Sequence, residues 1–264
     1  MYDPERQWQS IFMVMALLMS RMLVTFSVIP LFANGGIPAG VRTVFVAGLA
    51  FSLLPLAFAD ESLTSLPLAS VPLYLAKEAA IGLVLGLLAS IGFWALYAAG
   101  VMIDHQSGLA FAATIDPLTG QEESLLGTFL MRLFMVLFLV TGGLLALVSL
   151  LFESYVVWPV SSMLPTVASP LLVELMLRAL AELLVIALKV AAPFLIMMLM
   201  IELAVGLLSR FAPLLNVFFV VLPLKALALV LMLLLYGMVV ASGAAPLPLI
   251  DFSDSLRELR EAWR

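Results

Sequence analysis

Two stretches of the chain, residues 79–103 and 226–250, contain no charged side chain at all. Each exceeds the roughly 18–20 residues that carry an α-helix across the hydrocarbon core of a bilayer. A segment of that kind has to satisfy its own backbone hydrogen bonds, and in lipid only helices and closed barrels do so. Further apolar segments lie at 11–33, 41–59, 125–152 and 171–209, where Pro193 is expected to divide or kink the last one. The pattern predicts about six or seven hydrophobic helical segments. Composition agrees: 64% of the 264 residues are hydrophobic and 11% are charged, about half the roughly 25% charged fraction of a soluble domain. The fold class is therefore an all-α integral membrane protein.

The start, "MYDPERQWQS", is polar and partly acidic, and no small-residue cleavage site closes the apolar run after it. The first hydrophobic segment is expected to stay in the mature protein. Cysteine is absent, which excludes disulfides and thiolate metal sites. The net charge is −5 and the twelve basic residues are spread singly, so no nucleic-acid partner is expected. Arg257, Arg260 and Arg264 gather at the end, whereas the turns at Asp60–Glu61 and Asp116–Glu123 carry acids only. The positive-inside tendency then places the C-terminus in the cytoplasm. Residues 1–250 read as one membrane-embedded domain. Residues 251–264 read as a cytoplasmic amphipathic tail, with Ser255 and Glu258 forming a capping box.

Many charges interrupt the apolar blocks: Arg21, Lys77, Glu78, Arg132, Glu174, Arg178, Glu182, Lys189, Glu202, Arg210 and Lys225. Charged groups at membrane depth face protein or water, not lipid. Glu174, Arg178, Glu182 and Lys189 fall on one helical face, either as an intrahelical ladder or as a polar seam toward another subunit or a water-filled path. Gly82 and Gly86 stand one turn apart in "GLVLG", a spacing that permits close helix approach. Asp104 and His105 invite a metal reading, but no second His and no Cys exist to complete a ligand set. No phosphate-binding loop or nucleophile-elbow sequence occurs either, so the chain reads as a non-enzyme with no cofactor.

Residues 102–123, "MIDHQSGLAFAATIDPLTGQEE", form a polar island with an apolar middle. In "DPLTG", Asp116 starts a turn, Pro117 presets φ and Gly120 ends it, while Gly108 offers a break beforehand. The Leu, Phe, Ile and Ala content suits a re-entrant loop pressed among helices. From the residues alone the chain is a polytopic membrane protein with such a loop, part of a conduit. A secondary transporter for ions or small solutes is the alternative.

At this point the sequence resembles a known family, the SctT/FliR proteins of the type III secretion export apparatus. The likeness covers nearly the whole chain. It rests on Arg21 with Pro30, "VR" at 41–42, "KE" at 77–78 and "AGVMIDHQSG" running into "DPLTGQEESLLG". Further on come "ESYVVWPV" at 153–160 and "SRFAPLLNVFFVVLPLK" at 209–225, whose wording is closer to the injectisome branch than to the flagellar one. One departure is Leu214, where the family often has glutamine.

The resemblance implies bent helical hairpins and an inner-membrane export gate built with SctR-like and SctS-like subunits. It also implies contact with a SctU-like switch protein, with membrane lipid and with exported unfolded proteins. The family's plug loop maps onto residues 108–122, with Gly108, Leu109, Phe111, Ile115, Asp116, Pro117, Leu118, Thr119 and Gly120 as its members. Subunit contacts are expected at Lys77, Glu78, Glu174, Arg178, Glu182, Lys189, Arg210, Pro213, Asn216 and Lys225, because buried charges need partners and few acids lie near them in sequence.

Overall fold

The structure, a computed structural model, describes residues 4–33, 37–58, 63, 66–108, 124–163, 169–211 and 217–241. Among these the regular elements are helical: α1 (Pro4–Val28), α2 (Pro30–Ala33), α3 (Ala39–Phe58), a 3-10 turn (Leu68–Ser70), α4 (Val71–Ala89), α5 (Ile91–Ser107), α6 (Leu125–Val140), α7 (Gly143–Val157), α8 (Ser169–Ser209) and α9 (Val217–Ala241). Four helical stretches are long and apolar enough to cross a membrane: Trp8–Val28, Leu68–Ala89, Met176–Ser209 and Phe219–Met238. α6 and α7 form a fifth, broken stretch. The break falls at Gly142, whose φ of +82° is a left-handed conformation that a side chain would strain.

Three boundaries differ from those the sequence predicts. The charge-free run 79–103 is two helices, because α4 ends at Ser90, whose N–H bonds the carbonyls of Gly86 and Leu87. The last helix begins at Val217, ahead of the charge-free run, and takes Lys225 into its interior. Pro193 does not divide α8, which continues through it, as α3 does through Pro55 and α9 through Pro223. Membrane helices tolerate proline where neighbouring groups re-satisfy the freed carbonyl.

The chain forms two compact units. The first contains α1 to α4, α7 and the start of α8. Its centre is the contact of α1 with α4, which is so close that Gly82 and Gly86 lie directly against α1. A Cβ at Gly82 would stand 2.3 Å from the Arg21 carbonyl oxygen, and one at Gly86 2.9 Å from that of Thr25. The Thr25 hydroxyl donates across the seam to the Gly82 carbonyl at 2.9 Å. Phe26 meets Phe32 and Phe45 edge to face, at 4.8 and 5.5 Å between ring centroids, and so ties α1, α2 and α3 together.

The second unit contains α5 from Gly92 onward, α6, α8 from Leu180 and α9. Phe93 packs edge to face on Phe134 at 4.7 Å and on Phe138 at 5.3 Å. Gly100 and Gly127 bring the α5 and α6 backbones into contact, for a Cβ at Gly100 would stand 2.4 Å from the Gly127 nitrogen. On α9 the described residues are mostly exposed, with Lys225 and Leu229 as its buried members. Such an apolar helix needs lipid or another chain around it.

Candidate functional site

The first unit is built around an ion cluster with no exposed charge. Arg21 and Glu78 are both completely buried. Arg21 Nε pairs with Glu78 Oε2 at 2.7 Å, Nη1 donates to Ser154 Oγ at 2.9 Å and Nη2 donates to the Trp158 carbonyl at 2.9 Å. The guanidinium also stacks 4.1 Å from the Tyr155 ring centroid, and the Tyr155 hydroxyl donates to the Leu18 carbonyl at 2.7 Å. Arg21 thus fastens α1 to α4 and to the end of α7 at once, using the planar fork that a lysine lacks.

Lys77 works beside it. Its ammonium pairs with Glu78 Oε1 at 2.8 Å and donates to the carbonyls of Val160 at 2.8 Å and Ser162 at 3.0 Å. These carbonyls follow the end of α7 and Pro159, where no helix supplies donors. One carboxylate therefore faces two cations, and the second cation pins the turn after α7.

In the second unit, polar contacts gather where α5 ends and α6 begins. Gly108, with φ +85°, turns the chain out of α5. Asp104 Oδ2 accepts from Ser124 Oγ at 2.5 Å and from the Leu126 N–H at 3.0 Å, while Ser124 Oγ itself caps α6 by accepting from the Gly127 N–H at 2.9 Å. Asp104 is buried, and among the described residues its Oδ1 meets no donor. From α9, Lys225 donates to the Gln106 carbonyl at 2.6 Å and pairs with Glu202 of α8, to which Gln106 Nε2 also donates at 3.2 Å. A cation over the last carbonyls of α5 suits the negative end of its dipole. Both ends of the segment 109–123 are in this way clasped to one another and to α8 and α9.

Asp104→Ala is expected to destabilise the protein by about 1–3 kcal/mol, since it strands the Ser124 hydroxyl and the Leu126 N–H in a buried setting. Asp104→Asn, which keeps an acceptor, should lose less. Thermal unfolding of the detergent-purified variants checks this; equal midpoints for Ala and wild type would mean that the clasp contributes nothing.

The predicted site residues are distributed as follows. Lys77, Glu78 and Lys225 find their partners inside the chain, across sequence separations of 57 residues for Arg21 with Glu78 and 23 for Lys225 with Glu202. Each of the three thus has a partner within the chain, and distance along the chain was a poor guide to distance in space. Arg178 pairs with Glu174 at 2.7 Å one turn away, both well exposed. Glu182 is half-buried on the same helix, Lys189 is exposed, and Arg210 is exposed at the end of α8. Of the loop residues only Gly108 is described; Leu109, Phe111, Ile115, Asp116, Pro117, Leu118, Thr119 and Gly120 lie outside the described residues, as do Pro213, Asn216 and the tail 251–264. Sequence reasoning missed Ser124, Ser154, Tyr155 and Trp158. The Ser124–Gly127 cap spacing was available as a signal, whereas nothing local marks Ser154 as an arginine partner.

Among the described residues no group of His, Asp and Glu could hold a metal ion. What the arrangement offers is structural: two helical units, each with buried charges paired inside it, and a segment whose two ends are held together.

Comparison with known proteins supplies the family. The model of bacterial export proteins, family 1, matches residues 12–245. The Yop proteins translocation protein T of Yersinia pestis is 35% identical over 232 residues, covering 87% of each chain. The surface presentation of antigens protein SpaR of Salmonella typhimurium is 36% identical over 223 residues, covering 84% of this chain and 81% of its own. The flagellar biosynthetic protein FliR of Bacillus subtilis is 31% identical over 217 residues, covering 81% and 82%. With its helices apolar enough for several membrane crossings, the chain belongs to the SctT/FliR family of bacterial export proteins, on the injectisome side of that family.

Proposed function

We propose that the chain is a subunit of a type III secretion export gate, which forms the inner-membrane channel for unfolded proteins together with SctR-like and SctS-like subunits and is contacted by a SctU-like switch protein. It works as a wall and closure of a conduit and performs no chemistry of its own. Residues 108–122 are its plug: the apolar run "LAFAATI" blocks ions at rest by excluding water from a constriction, and yields to a passing polypeptide. The exposed residues Glu174, Arg178, Lys189 and Arg210, with Glu182, Pro213 and Asn216, contribute to subunit contacts. The arginines of the tail favour a cytoplasmic C-terminus.

The observation that carries this reading is the clasp below the loop. A plug has to change place while its ends keep theirs, and Asp104, Ser124, Gln106 and Lys225 hold the two ends together without using any residue of 109–123. Deleting Leu109–Gly120 tests it. Residues 121–123 remain to join Gly108 to Ser124, and four chain steps reach about 13 Å, enough to bridge two ends that a hydrogen bond already brings together. The deletion is expected to leave assembly intact and to make the assembled gate permeable to small ions. Unchanged ion permeability in a fully assembled complex would defeat the plug, and solute transport by the isolated subunit would favour the transporter reading instead.

A further inference from the structure

The two ends of the segment 109–123 are held by different parts of the second unit. At the second end, Ser124 and Leu126 are bonded to Asp104, and the contact of Gly100 with Gly127 presses α6 directly onto α5. The start of α6 therefore follows α5. At the first end the holding groups come from other helices, and Gln106 is held twice. Its carbonyl accepts from Lys225 of α9 at 2.6 Å, its side-chain amide donates to Glu202 of α8 at 3.2 Å, and Lys225 and Glu202 are paired with each other. The three residues close a ring across α5, α8 and α9.

The Gln106 carbonyl lies in the last turn of α5, where no further helical N–H follows to satisfy it. A lysine ammonium suits such a carbonyl both as a donor and as a cation at the negative end of the dipole. Gly108, whose φ of +85° turns the chain out of the helix, comes two residues later. Meanwhile α9 has little else to seat it. Among its described side chains Lys225 and Leu229 are the buried ones, and Tyr236, about three turns beyond Lys225, meets Phe194 of α8 with ring centroids 5.9 Å apart. Lys225 is a buried cation, so it cannot leave its acceptors without stranding its charge. A shift of α9 has to carry the end of α5 with it or break the ring.

We propose that Lys225 is a positioning residue: through the Gln106 carbonyl, α9 sets where α5 ends and so where the segment 109–123 begins. For its consequence in the gate this rests on the plug reading, since a plug is seated only as firmly as its base. It gives α9 a part in closure that Asp104 and Ser124, which join the two ends to each other, do not play.

Amide hydrogen exchange of the purified full-length protein tests the link, with Lys225→Met, Lys225→Arg and Glu202→Gln set beside wild type. Lys225→Met should speed exchange of the Gln106, Ser107 and Gly108 amides by about tenfold or more, the scale of a lost hydrogen bond to a charged group. Glu202→Gln removes the charge of the pair but leaves the bond from Lys225 to the Gln106 carbonyl, so the same amides should respond far less. Lys225→Arg, which keeps a charged donor, should restore most of the protection. The amides of Ala95–Gly100, earlier in α5, should stay protected throughout. Equal effects of Lys225→Met and Glu202→Gln would mean that Lys225 serves its ion pair alone, and faster exchange along the whole of α5 would mean that it serves general stability. Either result overturns the inference, as does undisturbed exchange in Lys225→Met. In the complete assembly, Lys225→Met should raise small-ion permeability toward that of the Leu109–Gly120 deletion, and Glu202→Gln much less. A leaking deletion beside a tight Lys225→Met gate overturns this inference alone. A tight deletion overturns the plug reading, and the exchange result still decides the role of Lys225.

Discussion

Glu78→Ala is expected to destabilise the protein by about 3–5 kcal/mol, the scale on which a buried ion pair is lost when one partner is removed. The carboxylate faces Arg21 at 2.7 Å and Lys77 at 2.8 Å, and it is itself completely buried. Its removal leaves two adjacent cations with no counter-charge, and the completely buried Arg21 cannot reach water without opening the contact between α1 and α4. At about 2–4 °C per kcal/mol for a chain of this size, the thermal midpoint should fall by roughly 6–20 °C. The steady-state amount in membranes should fall with it.

The neighbouring substitutions set an order that distinguishes charge from packing. Arg21→Met leaves Lys77 and Glu78 as a neutral pair but strands the Ser154 hydroxyl and the Trp158 carbonyl. Lys77→Met keeps the Arg21–Glu78 pair and releases Glu78 Oε1 and the carbonyls after α7, at a cost of about 1–3 kcal/mol. Glu78→Ala should therefore be the most damaging and Lys77→Met the least. Equal midpoints for all three would mean that the cluster acts through volume alone, and the electrostatic account would fail.

The helical fold was legible because hydropathy responds to a single strong constraint, the satisfaction of backbone groups in lipid. The apolar segments at 11–33, 41–59, 125–152 and 171–209 correspond to α1 with α2, α3, α6 with α7, and α8. The split of 79–103 at Ser90 was not legible, since serine is tolerated in apolar helices and nothing in "LLASIGFW" forbids a continuous one. The need of Arg21, Lys77, Glu78 and Lys225 for partners could be read from their apolar surroundings. Which partners they take could not, because Arg21 meets Ser154 across 133 residues and no periodicity reaches that far. Asp104 drew notice beside the only histidine, yet its role is to hold Ser124 and Leu126, while His105 points to exposed surface. The adjacent pair suggested shared chemistry, but consecutive helical residues face directions about 100° apart.

Gly82→Leu should be as damaging as the loss of Glu78, for a reason unrelated to charge. Its Cβ alone would lie 2.3 Å from the Arg21 carbonyl oxygen and 3.1 Å from the Arg21 Cα, and both are backbone atoms. A flexible side chain could swing aside, but a helix backbone can yield only if α1 moves as a whole. Moving α1 by the required ångström draws Arg21 away from Glu78, Ser154 and Trp158 together, so a steric change is converted into the loss of the ion cluster. The expected cost exceeds the 1–3 kcal/mol typical of overpacking. Even Gly82→Ala should lower the thermal midpoint, although alanine favours a helix interior over glycine by roughly 1 kcal/mol. Gly206 provides the contrast within one chain, since a Cβ there would meet nothing within 4 Å. Gly206→Ala in the isolated protein should raise the midpoint by the propensity gain alone. If Gly82→Ala and Gly206→Ala shift the midpoint in the same direction, α1 and α4 do not touch through their backbones, and the glycine seam cannot be what seats Arg21.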